Sequence, residues 1–226
     1  VRSGPPQAAG SKAQPMSAER FAAENYERAA LDTPYWGEHV ARYEFAAQWA
    51  RTGLTLDIAC GTAYGVAVLE RRGATVIAAD VDIEQLAAAR TRAARMVAAD
   101  GSALPFRDSV FDLVTSFETI EHLSSRSLFV GELRRILRPG GMLILSTPNA
   151  RYTNPIEGVP TNPFHLHEYD SDELASELGS HFGSVEILGQ CLHERYKIPP
   201  FEDAQRRLQA TLPNRARLLL WKAVNK

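Results

Sequence analysis

The chain has 226 residues, 45% of them hydrophobic and 23% charged, which is enough apolar material for one globular domain with a sizeable core and some appended structure. A formal net charge of −2 gives no electrostatic footprint for a nucleic-acid or anionic-membrane partner, and no run of 18 apolar residues is present to span a bilayer. Two cysteines, Cys60 and Cys191, are too few for a disulfide framework, so the expected compartment is the cytoplasm.

Residues 1–16, VRSGPPQAAGSKAQPM, are rich in Pro, Gly and Ala without the apolar core of a signal peptide, and predict a disordered tail. Residues 17–50 carry helical periodicity in two pieces, SAERFAAENYERAA and YWGEHVARYEFAAQWA, split at Asp32-Thr33-Pro34. They predict a helical cap with Tyr35, Trp36 and Tyr43 offered to the active site. The domain expected over 51–226 begins with the strand GLTLDIAC and a helix from about Ala63 to Arg72. The strand ATVIAAD, the helix DIEQLAAARTRAA and the short strand RMVAAD follow, then the strand VFDLVTSF and the helix SLFVGELRRIL. A stop at Pro139-Gly140-Gly141 precedes the strand MLILSTP. A helix from Ser171 to Leu178 and a strand SVEILGQ would extend the sheet. Short apolar strands alternating with helices specify an α/β chain with a doubly wound, mostly parallel sheet. The stretch 204–226 has six basic residues and no acid, either a solvated helix face or a phosphate-binding surface.

In open sheets of this kind a ligand lies at the carboxyl ends of the strands. The first end, LDIACGTAYG, places Gly61 and Gly65 in the strand-to-helix turn, where a bare backbone can approach a ligand. At the second end Asp80 is placed to accept from ribose hydroxyls or to cap the next helix, a role Asp82 serves as well. The third end, AADGSALPF, offers the Asp100 carboxylate and the backbone of Gly101 or Ser102. The spacing of a pyrophosphate-binding G-x-G-x-x-G is absent, which argues against a dinucleotide-dependent dehydrogenase.

The ordered set LDIACGTAYG, VIAADVD, DGSALPF, FDLVTSFETIEHL and LRRILRPGGMLILSTPN resembles the class I S-adenosylmethionine-dependent methyltransferases over roughly residues 35–190. The family usually has glycine at the positions of Ala59 and Ala63. The resemblance implies S-adenosylmethionine as cofactor and the neighbourhood of Asp57, Ala59 and Gly61 under its methionine part. It implies Asp80 and Val81 at the ribose, Asp100 and Gly101 at the adenine, and Phe117 beside the sulfonium. Arg42 matches an arginine that faces the cofactor in ubiquinone-pathway O-methyltransferases, where it could pair with the methionine carboxylate; its plain alternative is a surface helix residue.

The motif ETIEH puts two carboxylates and an imidazole in five residues, and one helical turn would bring Glu118, Glu121 and His122 to one face. Its E-x-x-E-H spacing resembles metal-dependent O-methyltransferases, including small-RNA terminal 2′-O-methyltransferases that take a further histidine from a later loop. That resemblance implies a divalent metal, Mg²⁺ or Mn²⁺, held by Glu118, Glu121, His122 and His165, with His167, His122 and Glu121 as catalytic residues. An acid–base site without metal and a simple helix start are the other two readings of the motif. The expected acceptor is a small molecule or oligosaccharide carrying a vicinal diol on a sugar. A catechol or quinol comes next, and a terminal ribose of RNA or a non-catalytic binding module last.

Overall fold

Five short segments rich in β-branched and apolar residues pair into one sheet. They are β1 (Leu54–Ile58), β2 (Thr75–Asp80), β3 (Met96–Ala98), β4 (Phe111–Phe117) and β5 (Leu137–Ser146). All neighbours run parallel in the order β3-β2-β1-β4-β5. The structure is a computed structural model and describes residues 34–153 and 158–190. The expected tail over 1–16, the first cap helix and the basic stretch 204–226 lie outside the described residues, as do the side chains of Tyr35 and Trp36. The helices are α1 (Pro34–Ala46), α2 (Val66–Glu70), α3 (Ile83–Ala88), α4 (Arg126–Ile136), α5 (Ala150–Thr153) and α6 (Ser171–Gly179). None of them is long and apolar enough to cross a membrane.

The period-2 alternation of the strands divides the core between two faces. Val76, Ala78 and Leu113 pack with residues of α1, α2 and α3. Ile77, Ala79 and Val114 point the other way and pack with Phe129, Val130, Leu133 and Ile136 of α4 and Leu178 of α6. Both faces are covered, as the near-continuous apolar strands require.

Element boundaries depart from the sequence expectations where the backbone takes special conformations. Ala63 has φ 55° and Gly73 φ 89°, so α2 occupies only Val66–Glu70 of the expected 63–72. Asp82 caps α3 by accepting from Glu84 N and Gln85 N, and the helix tightens to a 3-10 turn at Ala89–Thr91 instead of running to residue 94. The Pro139-Gly140-Gly141 segment is not a stop before the strand. Pairing begins at Phe111↔Leu137 and resumes at Leu113↔Met142, so the Pro-Gly-Gly is accommodated as an irregularity inside an edge strand. The expected strand SVEILGQ does not form: residues 184–190 carry no ladder, and Gln190 Nε2 donates to the carbonyl of Glu38 instead (2.9 Å), drawing the segment toward α1.

Helix α1 is fastened to the sheet through Tyr43. Its hydroxyl donates to the carboxyl of Asp57 (3.1 Å to Oδ2), which also accepts from Thr115 Oγ1 (2.8 Å). All three groups are buried. The Tyr43 ring rests directly on Gly65, where a Cβ would collide with it. Gly65→Ala should therefore cost about 2–4 kcal/mol of unfolding free energy through overpacking and loss of the phenol contact. Gly37→Ala in the open interior of α1, where a Cβ meets nothing within 4 Å, should stabilise by about 0.5–1 kcal/mol. Urea unfolding of the two variants beside the parent checks both signs.

Candidate active site at the sheet switch point

The chain winds outward from β1 to β2 and β3, then returns to place β4 on the other side of β1. The loops after β1 and β4 therefore diverge and leave a crevice at their carboxyl ends. On the β1 side the loop is held open by three left-handed residues, Ala59 (φ 57°), Gly61 (φ 54°) and Ala63 (φ 55°). Left-handed alanine costs about 1–2 kcal/mol, which explains why glycine is common at such positions. A Cβ on Gly61 would meet nothing within 4 Å, so space lies over its backbone.

Asp80 closes this loop from β2. Its Oδ2 accepts from Gly61 N (2.8 Å) and its Oδ1 from Asp82 N (2.8 Å). The cap of α3 is Asp82, which removes the helix-cap alternative for Asp80. Val81 is 58% exposed, and so is Ile83 at 70%, two apolar side chains flanking Asp80 that a planar ligand could cover. Ile83 was not singled out by the sequence; an apolar residue directly after a helix cap is the signal that pointed to it.

Asp100 accepts from both the N–H and the hydroxyl of Ser102 (2.8 Å each), and these bonds hold its carboxyl below the usual range. Gly101 is required by packing, since a Cβ there would lie 2.7 Å from the Phe129 ring. Asp57 lies beneath the loop rather than in the crevice. It is 1% exposed and occupied by Tyr43 and Thr115, and burial pushes its carboxyl up to about 7. Phe117 meets Tyr43 edge to face, with ring centroids 4.9 Å apart.

Arg42 is not a surface residue; its side chain is 17% exposed and leans into the crevice. Nε donates to Gln190 Oε1 (2.8 Å), and Nη1 stands 3.4 Å from His39 Nδ1 and 3.4 Å from Glu118 Oε1. Burial, and next the Arg42 charge, lower His39 to about 4, so its ring is neutral at pH 7. Tyr64 of the β1 loop touches the same imidazole (3.3 Å), which ties Arg42 to the β1 side of the crevice.

The motif ETIEH folds differently from a single helical turn. Glu118 has φ 51°, Thr119 is non-helical, and only Ile120–His122 form a 3-10 turn. The expected i, i+3, i+4 face is therefore broken at its first member, and Glu118 turns to Ser146, whose hydroxyl donates to Oε1 (2.8 Å), and to Arg42. Of the four expected metal ligands, Glu121, His122 and His165 come together, with one ligand atom from each lying within 4.8 Å of the others. Glu118 does not join them.

Glu121 is fully buried. Thr147 Oγ1 donates to its Oε2 (2.9 Å), while its Oε1 has no hydrogen-bond partner among the described residues and lies 3.9 Å from His122 Nε2. Burial, and next the charge of Glu118, push this carboxyl up to about 8. His122 Nδ1 faces the carbonyl of Phe164 (3.0 Å), a pure acceptor, so Nδ1 carries the proton and Nε2 the lone pair. His165 Nδ1 faces the buried carboxylate of Glu168 (2.6 Å), and Asn162 Nδ2 lies 2.9 Å from its Nε2. The loop is fixed here by the N–H groups of Leu166 and His167, both of which donate to the carbonyl of Glu121. The side chain of His167 goes elsewhere: Nε2 lies 2.7 Å from Glu173 Oε1 without hydrogen-bond alignment, and the ring packs against Tyr169.

Residues 56–145 match the methyltransferase domain model. A probable S-adenosylmethionine-dependent methyltransferase of Mycolicibacterium smegmatis is 34% identical over 181 residues, covering 77% of this chain and 67% of the relative. The chain belongs to the S-adenosylmethionine-dependent methyltransferases. A probable member from Mycobacterium tuberculosis is 37% identical over 147 residues, which span 64% of this chain and only 54% of the relative, about half its length. A crystal structure of an S-adenosylmethionine-dependent methyltransferase from Mesorhizobium loti superposes with a TM-score of 0.58 at 18% identity, covering 73% of this chain and 88% of that one, which shows the shared fold.

Two predictions follow from this geometry. Asp80→Ala removes a charged acceptor and unties Gly61, so calorimetry with S-adenosylhomocysteine should show binding weakened by about 1.5–3 kcal/mol. The second concerns Glu121, whose native carboxyl keeps its proton between the ordinary value of 4.5 and about 8, while the unfolded chain has released it. Stability must then fall as pH rises through that window, and Asp57 acts in the same direction. Urea unfolding with a chelator present should show Glu121→Gln gaining on the parent protein from about pH 4.5 to about pH 8.

Proposed function

We propose that the protein transfers the methyl group of S-adenosylmethionine to a hydroxyl of a sugar or oligosaccharide with a vicinal diol, assisted by a divalent cation, Mg²⁺ or Mn²⁺. The observation that carries this reading is the buried Glu121 Oε1, unpartnered and turned toward His122 Nε2 beside His165. An orphaned carboxylate oxygen and two imidazoles within 4.8 Å fit a borderline or hard cation.

Each ligand is held by a second group. Thr147 fixes Glu121 so that Oε1 is presented, Phe164 sets the His122 tautomer, and Glu168 takes the proton side of His165. A cation at His165 Nε2 would take over the lone pair now facing the Asn162 amide. Bound there, the metal would lower the acceptor hydroxyl's pKa and chelate its neighbour. Asp80, Gly61, Val81 and Asp100 hold the cofactor, and Phe117 lies between it and the ETIEH motif. A cavity of about 300 Å³ adjoins His122 and is lined by Ser102, Ser124 and Ser125, by the apolar Leu123, Phe129 and Leu166, and by Asp100 on the cofactor side. Its hydroxyls suit an acceptor with several hydroxyl groups. The compartment expected for this chemistry is the cytoplasm.

One observation favours a second mechanism. Glu121, with its carboxyl near 8 and His122 at 3.9 Å, has the properties of an acid–base pair that needs no metal. Labelled S-adenosylmethionine offered with sugars, catechols, quinols and short RNAs, to enzyme stripped of metal and then restored with Mn²⁺ or Mg²⁺, separates the readings. Label should enter the sugars, disappear on stripping and return with the cation, while S-adenosylhomocysteine still binds the stripped protein. Full turnover by the stripped enzyme would replace the cation with the Glu121–His122 pair, and label in the catechols or RNA would replace the acceptor.

A further inference from the structure

Glu118 holds a carboxylate beside an incomplete cluster and yet points away from it. The cluster of Glu121, His122 and His165 supplies three ligand atoms, whereas divalent cations of the relevant kind take four to six. Glu118 is close enough for its charge to act on Glu121, but its Oε1 is taken up by Ser146 and Arg42. Its backbone is in the left-handed region, a conformation that non-glycine residues keep mainly where the surroundings or the function demand it. Side-chain rotation about χ1 and χ2 is the movement by which its carboxylate would change partners.

Arg42 decides which way it points. Gln190 orients the guanidinium from the far end of the described chain, and Gln190 is itself fixed by the Glu38 carbonyl. Through His39 and Tyr64 the guanidinium lies at the β1 loop, where the amino-acid end of the cofactor belongs. S-adenosylmethionine and its product carry a free carboxylate at that end. A carboxylate can take a guanidinium bidentately, which is stronger than the single 3.4 Å approach of Glu118. Its charge also repels Glu118 from the position it would share.

We propose that Arg42 is a positioning residue that makes the cofactor and cation sites interdependent. The cofactor carboxylate takes Arg42, Glu118 is released, and Glu118 completes the cation site beside Glu121, His122 and His165. This inference rests on the cation reading above. The cation is then held fully only when the methyl donor is in place, so an acceptor hydroxyl is activated only in the loaded enzyme. Linkage requires the effect to be reciprocal.

The test measures Mn²⁺ affinity of the full chain by electron paramagnetic resonance of the free ion. It compares the protein alone, with S-adenosylhomocysteine, and with 5′-methylthioadenosine, which lacks the amino-acid carboxylate. S-adenosylhomocysteine should tighten Mn²⁺ about tenfold, and Mn²⁺ should tighten S-adenosylhomocysteine by the same factor, within the usual range of coupling. Methylthioadenosine should leave Mn²⁺ affinity unchanged. Glu118→Gln, checked for folding by circular dichroism, should still bind Mn²⁺ at the level of the cofactor-free parent and lose the tightening. Equal tightening by methylthioadenosine, or tightening that survives in Glu118→Gln, overturns the proposal. Mn²⁺ binding indifferent to S-adenosylhomocysteine overturns this inference alone, whereas no Mn²⁺ binding under any condition overturns the cation site and the inference together.

Discussion

The buried contact of Tyr43 with Asp57 and Thr115 is the constraint on which the crevice depends. A polar phenol and a carboxyl removed from water must satisfy one another, and each loses heavily if its partner is withdrawn. That mutual need joins a helix ahead of the sheet to its two central strands and seats the phenol ring on Gly65 at the start of α2. Helix α1 therefore cannot shift without disturbing the floor of the loop after β1. Arg42, one residue before Tyr43, inherits a fixed position over the crevice as a result.

The opposite wall is governed by burial of charge. Glu121 is fully enclosed, and enclosure penalises its ionised form unless a cation or a proton compensates. Thr147 satisfies one oxygen and leaves the other unpartnered, an arrangement whose cost makes sense when a ligand or a proton-transfer step uses that oxygen. The backbone bonds from Leu166 and His167 to the Glu121 carbonyl draw the 158–170 loop onto this wall, which is how His165 reaches a cluster 43 positions from His122 in the chain. The neutral His39 and the two carboxylates nearest Arg42 show that the two walls share one electrostatic field.

Sheet type and strand ends were legible in the sequence because both are local. A run such as VFDLVTSF, alternating with helical periodicity, admits a parallel covered strand and little else, and the residues that follow each strand are carried to the same rim. The residues that depart from regular backbone were not legible. SVEILGQ has a strand's composition, but a strand needs a partner, and the chain gives Gln190 to Arg42 and Glu38 instead of a ladder to β5. Pro139-Gly140-Gly141 has a turn's composition, yet β5 absorbs it because, among the described residues, one of its sides has no pairing to lose.

By itself the sequence determined the doubly wound sheet, the strand ends that carry Gly61, Asp80 and Asp100 to one rim, and the presence of a carboxylate–imidazole motif after β4. Only the tertiary structure decided which of those groups meet. The helical spacing that grouped Glu118 with Glu121 and His122 holds only for regular backbone, and a left-handed Glu118 sends its side chain to Arg42 on another element. The resemblance sets His165 apart from His167, but composition and spacing alone do not separate two histidines two residues apart in a loop. The anchoring of that loop to Glu121 sends His165 to the cluster and His167 to Glu173. Side-chain direction there is set by contacts between residues distant in the chain, and no local period encodes it.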